Sequence, residues 1–216
     1  MRKMPSSDRR SSSFEPVPAG WSRPKNGRSR GAGLRRVISF VAEATAAASR
    51  LLVRRAHLET AVTVGVARLG SLPAARDSFT HAWSVEALHP EEQKRPVFDE
   101  LFRVVRPGGH VALQEWVLAT NAPALAKAWY EPAEVYVAGL RGAGFVDGRV
   151  SGAGDLREEE STITEIVWER VSELLGGARA ADRGPLTEAA VTLDERSQAA
   201  RDGRLSLVQI FARKPS

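Results

Sequence analysis

Asp77–Trp116, DSFTHAWSVEALHPEEQKRPVFDELFRVVRPGGHVALQEW, reads as strand, loop, amphipathic helix, tight turn and strand. Thr80 to Val85 is a short strand that runs out into a loop through Glu86 and His89. Pro90 suits the first turn of the helix that follows, with Glu91 and Glu92 where the helix dipole favours negative charge. Val97, Phe98, Leu101, Val104 and Val105 then recur at helical spacing and make one buried stripe. Pro107-Gly108-Gly109 is expected to stop that helix. His110 to Val117 resumes as a strand, with Val111, Leu113 and Val117 keeping period two.

Outward from this stretch the same alternation continues. Upstream, Gly33 to Arg55 carries a helix-like apolar pattern through Leu34, Val37, Ile38 and Val41, and Ala61 to Ala67 (AVTVGVA) is a β-branched strand. Downstream, Pro132 to Gly142 is a short helix whose Arg-Gly-Ala-Gly end feeds a strand from Phe145 to Val150. Helices follow from Ser161 to Leu175 and from Pro185 to Ala200. Leu205 to Ala212 (LSLVQIFA) is a terminal strand apolar on both faces, hence interior. Alternating strands and helices imply an α/β fold, a mostly parallel sheet with helices on both faces. The last strand, reached through a helical insertion, is expected to run antiparallel.

Composition bounds the function. The chain has 216 residues, 43% of them hydrophobic, which suits one globular domain, and no apolar run is long enough for a membrane span. The absence of cysteine removes disulfides, thiolate metal sites and cysteine nucleophiles. His57, His81, His89 and His110 lack the spacing of a helical zinc motif, so no metal is expected. The net charge of +5 is unevenly spread, with 13 basic against 3 acidic residues up to Ala56 and 18 against 23 beyond. Residues 1–30 read as a disordered basic arm and residues 31–216 as the folded domain. Nucleic acid is not an expected partner, because base-stacking aromatics near the arm are few (Phe14, Trp21, Phe40). The first 30 residues lack the apolar core of a secretory signal, so the cytoplasm is the expected compartment. Nothing in the pattern fixes the oligomeric state.

Five pieces in order resemble a class I S-adenosylmethionine-dependent methyltransferase of the small-molecule group that includes ubiquinone/menaquinone and sarcosine methyltransferases (methyltransferase type 11). They are Leu72-Pro73 with Asp77-Ser78-Phe79-Thr80, then Trp83 to His89, then Arg103 to Gly109 with Gln114-Glu115-Trp116. Leu140 to Phe145 and the terminal Ile210 to Pro215 complete them. The resemblance covers roughly residues 60 to 216. It implies a Rossmann-like sheet of seven strands, the last antiparallel, with S-adenosyl-L-methionine lying across the carboxyl ends of strands one, two and four. The implied reaction is direct methyl transfer to an O, N or C nucleophile of a small molecule.

The N-terminal part departs from the family pattern. The glycine turn after the first strand has one candidate, Gly31-Ala32-Gly33, preceded by a polar stretch (RPKNGRSR) that does not read as a central strand. Glu59 is the nearest candidate for the acid that binds the ribose hydroxyls. Where the family shows Gly-Asp-Ala this chain reads Gly65-Val66-Ala67. The N-terminal strands are therefore incomplete, shifted or degenerate, and a pseudoenzyme that binds no cofactor is the alternative reading. Carried over position by position, the resemblance implies cofactor contacts at Gly31, Gly33, Ala67, Trp83, Ser84 and Val85. It places Glu86 and His89 as catalytic candidates, His89 as base, and Glu115 and Trp116 on the substrate side. Trp129, Tyr130, Tyr136 and Trp168 are candidates to wall an aromatic pocket.

Overall fold

A computed structural model describes residues 37–126, 128–152, 157–177 and 179–216. The expected basic arm and the Gly31–Gly33 turn lie outside the described residues. The chain divides into two compact units, one reaching Arg68 and including Leu72–Ala74, the other comprising Leu69–Ser71 and Ala75–Ser216.

In the first unit, β1 (Val37–Val41) and β2 (Val62–Val66) pair in parallel, in register from Val37–Val62 to Val41–Val66. Helix α1 (Glu43–Arg55) makes the crossover, with Glu43 in its first turn and Arg54 and Arg55 in its last, as the helix dipole favours. The single helix expected from Gly33 is thus corrected: residues 37–41 are extended. Val-Ile-Ser-Phe-Val is rich in β-branched and aromatic residues, and pairing with 62–66 satisfies its backbone groups in a ladder that local periodicity does not reveal. Gly65 lies under the Phe40 ring, which a Cβ there would approach to 3.2 Å.

The second unit holds a four-stranded sheet in the order β3 (Phe79–Val85), β4 (Val105–Leu118), β6 (Leu205–Arg213), β5 (Val146–Gly152). β3 and β4 are parallel, while β6 runs antiparallel to both β4 and β5. The terminal strand is interior, as its two apolar faces require, and antiparallel, as expected of a strand reached through a helical insertion. Helices α2 (Arg95–Val104), α3 (Ala133–Ala143), α4 (Arg157–Gly177) and α5 (Ala180–Arg201) complete the unit. Among the described residues there are six strands against the seven implied. The positions ahead of β1, where a further strand would fall, lie outside the described residues.

Alternation on β4 builds two cores. Val111, Leu113 and Val117, with Val208, Ile210 and Ala212 of β6, face Val97, Phe98 and Leu101 of α2 and Tyr136 and Leu140 of α3. Trp116 and Leu118, with Leu205 and Leu207, face Ala199 and Ala200 of α5 together with Leu125 and Tyr130. Helices thus cover both faces of the sheet.

Two local expectations are corrected. Helix α2 starts at Arg95 rather than Pro90, and Pro96 takes the early helical position. Residues 91–94 instead form an irregular segment held by Lys94, whose Nζ donates to the carbonyls of Glu91 and Trp129. Pro107-Gly108-Gly109 does not end α2, which stops at Val104; it lies within β4 as a bulge opposite Thr80. Gly108 has φ +72, and a Cβ on Gly109 would stand 2.7 Å from the Thr80 carbonyl oxygen.

Candidate functional site

The loop that leaves the carboxyl end of β3 is fixed by two consecutive residues of β4 on opposite faces of the sheet. Glu115 sits on the α2–α3 face, 1% exposed. Its carboxylate accepts hydrogen bonds from Ser84 Oγ at 3.0 Å and from the backbone N–H groups of Ala87 at 3.2 Å and Leu88 at 3.4 Å. Trp116 sits on the α5 face and donates from Nε1 to Glu86 Oε2 at 3.1 Å. Glu86 has φ +48, a left-handed conformation that turns the chain between these two grips. Its N–H still donates to the Gln114 carbonyl at 2.7 Å, extending the β3–β4 ladder by one residue.

Arg196 of α5 completes the arrangement. Its guanidinium donates to the same Glu86 oxygen at 3.1 Å and lies over the Trp116 ring at 5.5 Å. His89 stacks on Tyr130, ring centroids 5.4 Å apart, and its carbonyl accepts from the Trp129 N–H at 2.8 Å.

Burial sets the electrostatics. It pushes the Glu115 carboxyl up to about 7, against the pull of the Ser84, Ala87 and Leu88 hydrogen bonds, and neighbouring Glu86 adds to the rise. His89 is held below the ordinary imidazole value, first by burial and then by the Arg196 charge, with Glu86 opposing. Burial likewise lowers the Lys94 ammonium and raises the Tyr136 hydroxyl. Near neutral pH, then, the site holds a neutral imidazole beside a carboxyl group poised between its two forms.

Of the residues expected from sequence, Ser84, Glu86, His89, Glu115 and Trp116 come together here. Glu115 and Trp116 meet the loop rather than solvent, being 1% and 4% exposed. Trp83 and Val85 alternate away from Ser84 and stand open, 74% and 60% exposed. Ala67, in the first unit, follows β2 and donates its N–H to the Val41 carbonyl at 3.2 Å. Glu59 lies in the turn between α1 and β2, at the amino end of the parallel pair. The carboxylate at the carboxyl end of β1 is instead Glu43, two residues past that strand. Gly31 and Gly33 are outside the described residues. Sequence reading missed Arg196 and Lys94. Arg196 sits in a helix read only for its extent, and its partner Glu86 is 110 residues away.

Two cavities are formed elsewhere in this unit. One of about 470 Å³ is lined by Arg76, Pro96, Asp99, Phe102 and Arg103 among others, and one of about 230 Å³ by Val137, Leu140, Arg141 and Phe145 among others. Neither is lined by residues 84–89. Among the described residues no cluster of His, Asp or Glu is placed to hold a metal ion, and no helix is long and apolar enough to cross a membrane.

Residues 34–113 match the family model described as a methyltransferase domain. The methyltransferase GfsG of Streptomyces halstedii is 34% identical over 102 residues, 47% of this chain. The match spans about a third (34%) of that relative's length. Among solved structures, SpnF, named as a 4+2 cyclase, superposes with a TM-score of 0.69 at 19% identity, over 83% of this chain and 66% of that one. A candidate sarcosine dimethylglycine methyltransferase from Galdieria sulphuraria gives 0.65 at 18% identity, over 84% and 78% of the two chains. Geranyl diphosphate C-methyltransferase from Streptomyces coelicolor A3(2), solved with Mg2+, geranyl diphosphate and S-adenosyl-L-homocysteine, gives 0.57 at 14%, over 83% and 64%. At such identities the likeness concerns the fold, and the fold by itself does not choose the reaction. Residues 34–113 thus match a methyltransferase-domain model, and the chain shares the Rossmann-like α/β fold of these solved structures.

Proposed function

We propose that the protein transfers the methyl group of S-adenosyl-L-methionine to an O, N or C nucleophile of a small molecule. The observation that carries this reading is the methyltransferase-domain match over residues 34–113, which includes β3, its exit loop and most of β4. In open α/β sheets ligands sit outside the carboxyl ends of the strands, and Ser84 to His89 occupy such a place.

S-adenosyl-L-methionine supplies a cationic sulfonium whose methyl group is the electrophile. The Glu86 carboxylate is already paired with Arg196 and brings no uncompensated charge to the loop, so the groups that support the reading are the imidazole and aromatic side chains beside it. His89, neutral near pH 7, takes the proton that a hydroxyl or amine acceptor must lose. A hydrogen bond to the Glu86 backbone and the stack on Tyr130 fix the imidazole's orientation. Tyr130 and Trp129 supply aromatic surface beside it for a small organic acceptor. Alignment and exclusion of water are the remaining contributions of the protein.

Titration calorimetry of the full chain with S-adenosyl-L-methionine and S-adenosyl-L-homocysteine tests the reading. Micromolar binding is expected, with stabilisation of about 2.7 kcal/mol at a hundredfold excess over Kd. Neither heat nor a change in melting temperature at millimolar ligand would remove the proposal. His89→Gln should keep cofactor affinity and lose turnover.

A further inference from the structure

We propose that Glu115 is a positioning residue, whose buried carboxylate sets the conformation of the β3 exit loop by holding Ser84 Oγ and the Ala87 and Leu88 amides together. The inference deepens the functional reading above and rests on it for the loop's importance, but its geometry stands alone. A carboxylate offers about four lone-pair directions, and here one group meets three donors from five consecutive residues. The Ala87 and Leu88 N–H groups both end on this one carboxylate, one on each oxygen. Between Ser84 and Ala87 stands Glu86 in its left-handed turn, and one residue beyond Leu88 stands His89. The grip therefore brackets Glu86 and ends one residue short of His89.

Nothing in the packing of the core requires a carboxylate at this position. Val111, Leu113 and Val117 fill the same face of β4 with apolar groups, and an apolar residue at 115 would continue the pattern. An acid buried at 1% exposure amid that row opposes the hydrophobic pattern. Its hydrogen bonds go to the end of β3 and the loop that follows, which is the contribution that offsets the burial. The ionisable groups facing it are Glu86 on the loop, Lys94 before α2 and Tyr136 on α3. Ionised, Glu115 accepts charge-assisted bonds from both amides; protonated, it accepts weaker ones. The loop's order should follow that protonation.

The test measures amide protection factors by NMR in the ligand-free full chain at pH 6 and pH 8, for the wild type, Glu115→Gln and Glu115→Ala. In the wild type, protection of Ala87 and Leu88 should rise from pH 6 to pH 8. In Glu115→Gln it should be flat across that interval. In Glu115→Ala it should lie at least about tenfold below the wild type at pH 8, the size of a lost charge-assisted bond. Amides of Phe98 and Leu101 in α2 serve as the control for global unfolding. If Glu115→Ala does not fold, Glu115→Gln decides alone, since it keeps the shape and an acceptor. A pH response at Ala87 and Leu88 that persists in Glu115→Gln overturns the proposal. S-adenosyl-L-methionine titrated into the wild type separates the two readings. Altered exchange with no cofactor binding keeps the anchor and removes methyl transfer; unaltered exchange with intact binding does the reverse.

Discussion

Glu86 and Arg196 close a 3.1 Å ion pair across 110 residues of chain, joining the exit of β3 to helix α5. The pair is shielded, with side chains 30% and 17% exposed, and Arg196 also covers the Trp116 indole that donates to the same carboxylate. Arg196→Gln removes one charge that holds the His89 imidazole down. The expected outcome is a rise of the His89 pKa toward 6.5, followed by the imidazole proton shifts in an NMR titration. Stability should fall by only about 1 kcal/mol, since the pair is partly solvated. A His89 pKa that stays put or drops would show that Arg196 does not act on it. Lysine is a poor substitute, because its compact ammonium lacks the delocalised guanidinium that reaches both Glu86 and the Trp116 ring.

Glu115 makes the stability depend on pH in an unusual direction. Its folded value of about 7 lies above the ordinary 4.5, so between those values the folded chain binds more protons than the unfolded one. Stability from this group is full below about pH 4.5 and declines as pH rises toward 7. Fully ionised, the buried carboxylate costs up to about 3 kcal/mol. Glu115→Gln removes that dependence. Urea unfolding should therefore find the variant gaining on the wild type between pH 5 and pH 8, and an equal difference at both pH values would refute the assignment.

Lys214, 6% exposed, ties the end of β6 to the start of the sheet. Its ammonium donates to Asp77 Oδ1 at 2.8 Å and to the carbonyls of Phe102 at 2.7 Å and Val105 at 2.9 Å, and lies 4.4 Å from the Phe102 ring centroid. Lys214→Met keeps the stem's bulk but strands Asp77 and two carbonyls. The expected loss is about 3 kcal/mol in equilibrium denaturation. A loss below about 1 kcal/mol would mean that water replaces the ammonium.

How far the sequence reveals this molecule depends on the range of the interactions. β3, β4 and β6 are legible because period two and β-branched runs are local, and the interior place of β6 follows from its two apolar faces. β1 is not, because Val37, Ile38 and Val41 satisfy helical and extended spacing alike, and only the partner at 62–66 decides. Ser84, Glu86, His89 and Glu115 are legible as a set through their place at strand ends. Their roles are not. That Glu115 turns inward to the Ala87 and Leu88 amides follows from the backbone of a loop, and Arg196 reaches Glu86 from an element whose own pattern records only its packing face.

The Pro-Gly-Gly bulge gives the last prediction, because its two glycines are needed for different reasons. Gly108 has φ +72, and a methyl group added there would have only Ser216 Oγ near it, at 3.8 Å. Gly108→Ala therefore meets backbone strain alone, about 1 kcal/mol. Gly109 lies outside the left-handed region but has no room: an added Cβ would meet the Thr80 carbonyl oxygen and Val105 Cγ1 at 2.7 Å and the Arg106 carbonyl oxygen at 2.9 Å. Two of those three atoms are backbone and cannot step aside without disturbing the β3–β4 pairing opposite Thr80. Gly109→Ala should therefore lose the more of the two, about 2–3 kcal/mol, as overpacking does. Asparagine, which tolerates left-handed backbone, should be accepted at 108 and not at 109. Parallel urea titrations of the four variants check the order, and equal losses at the two positions would mean that the bulge relaxes as a unit.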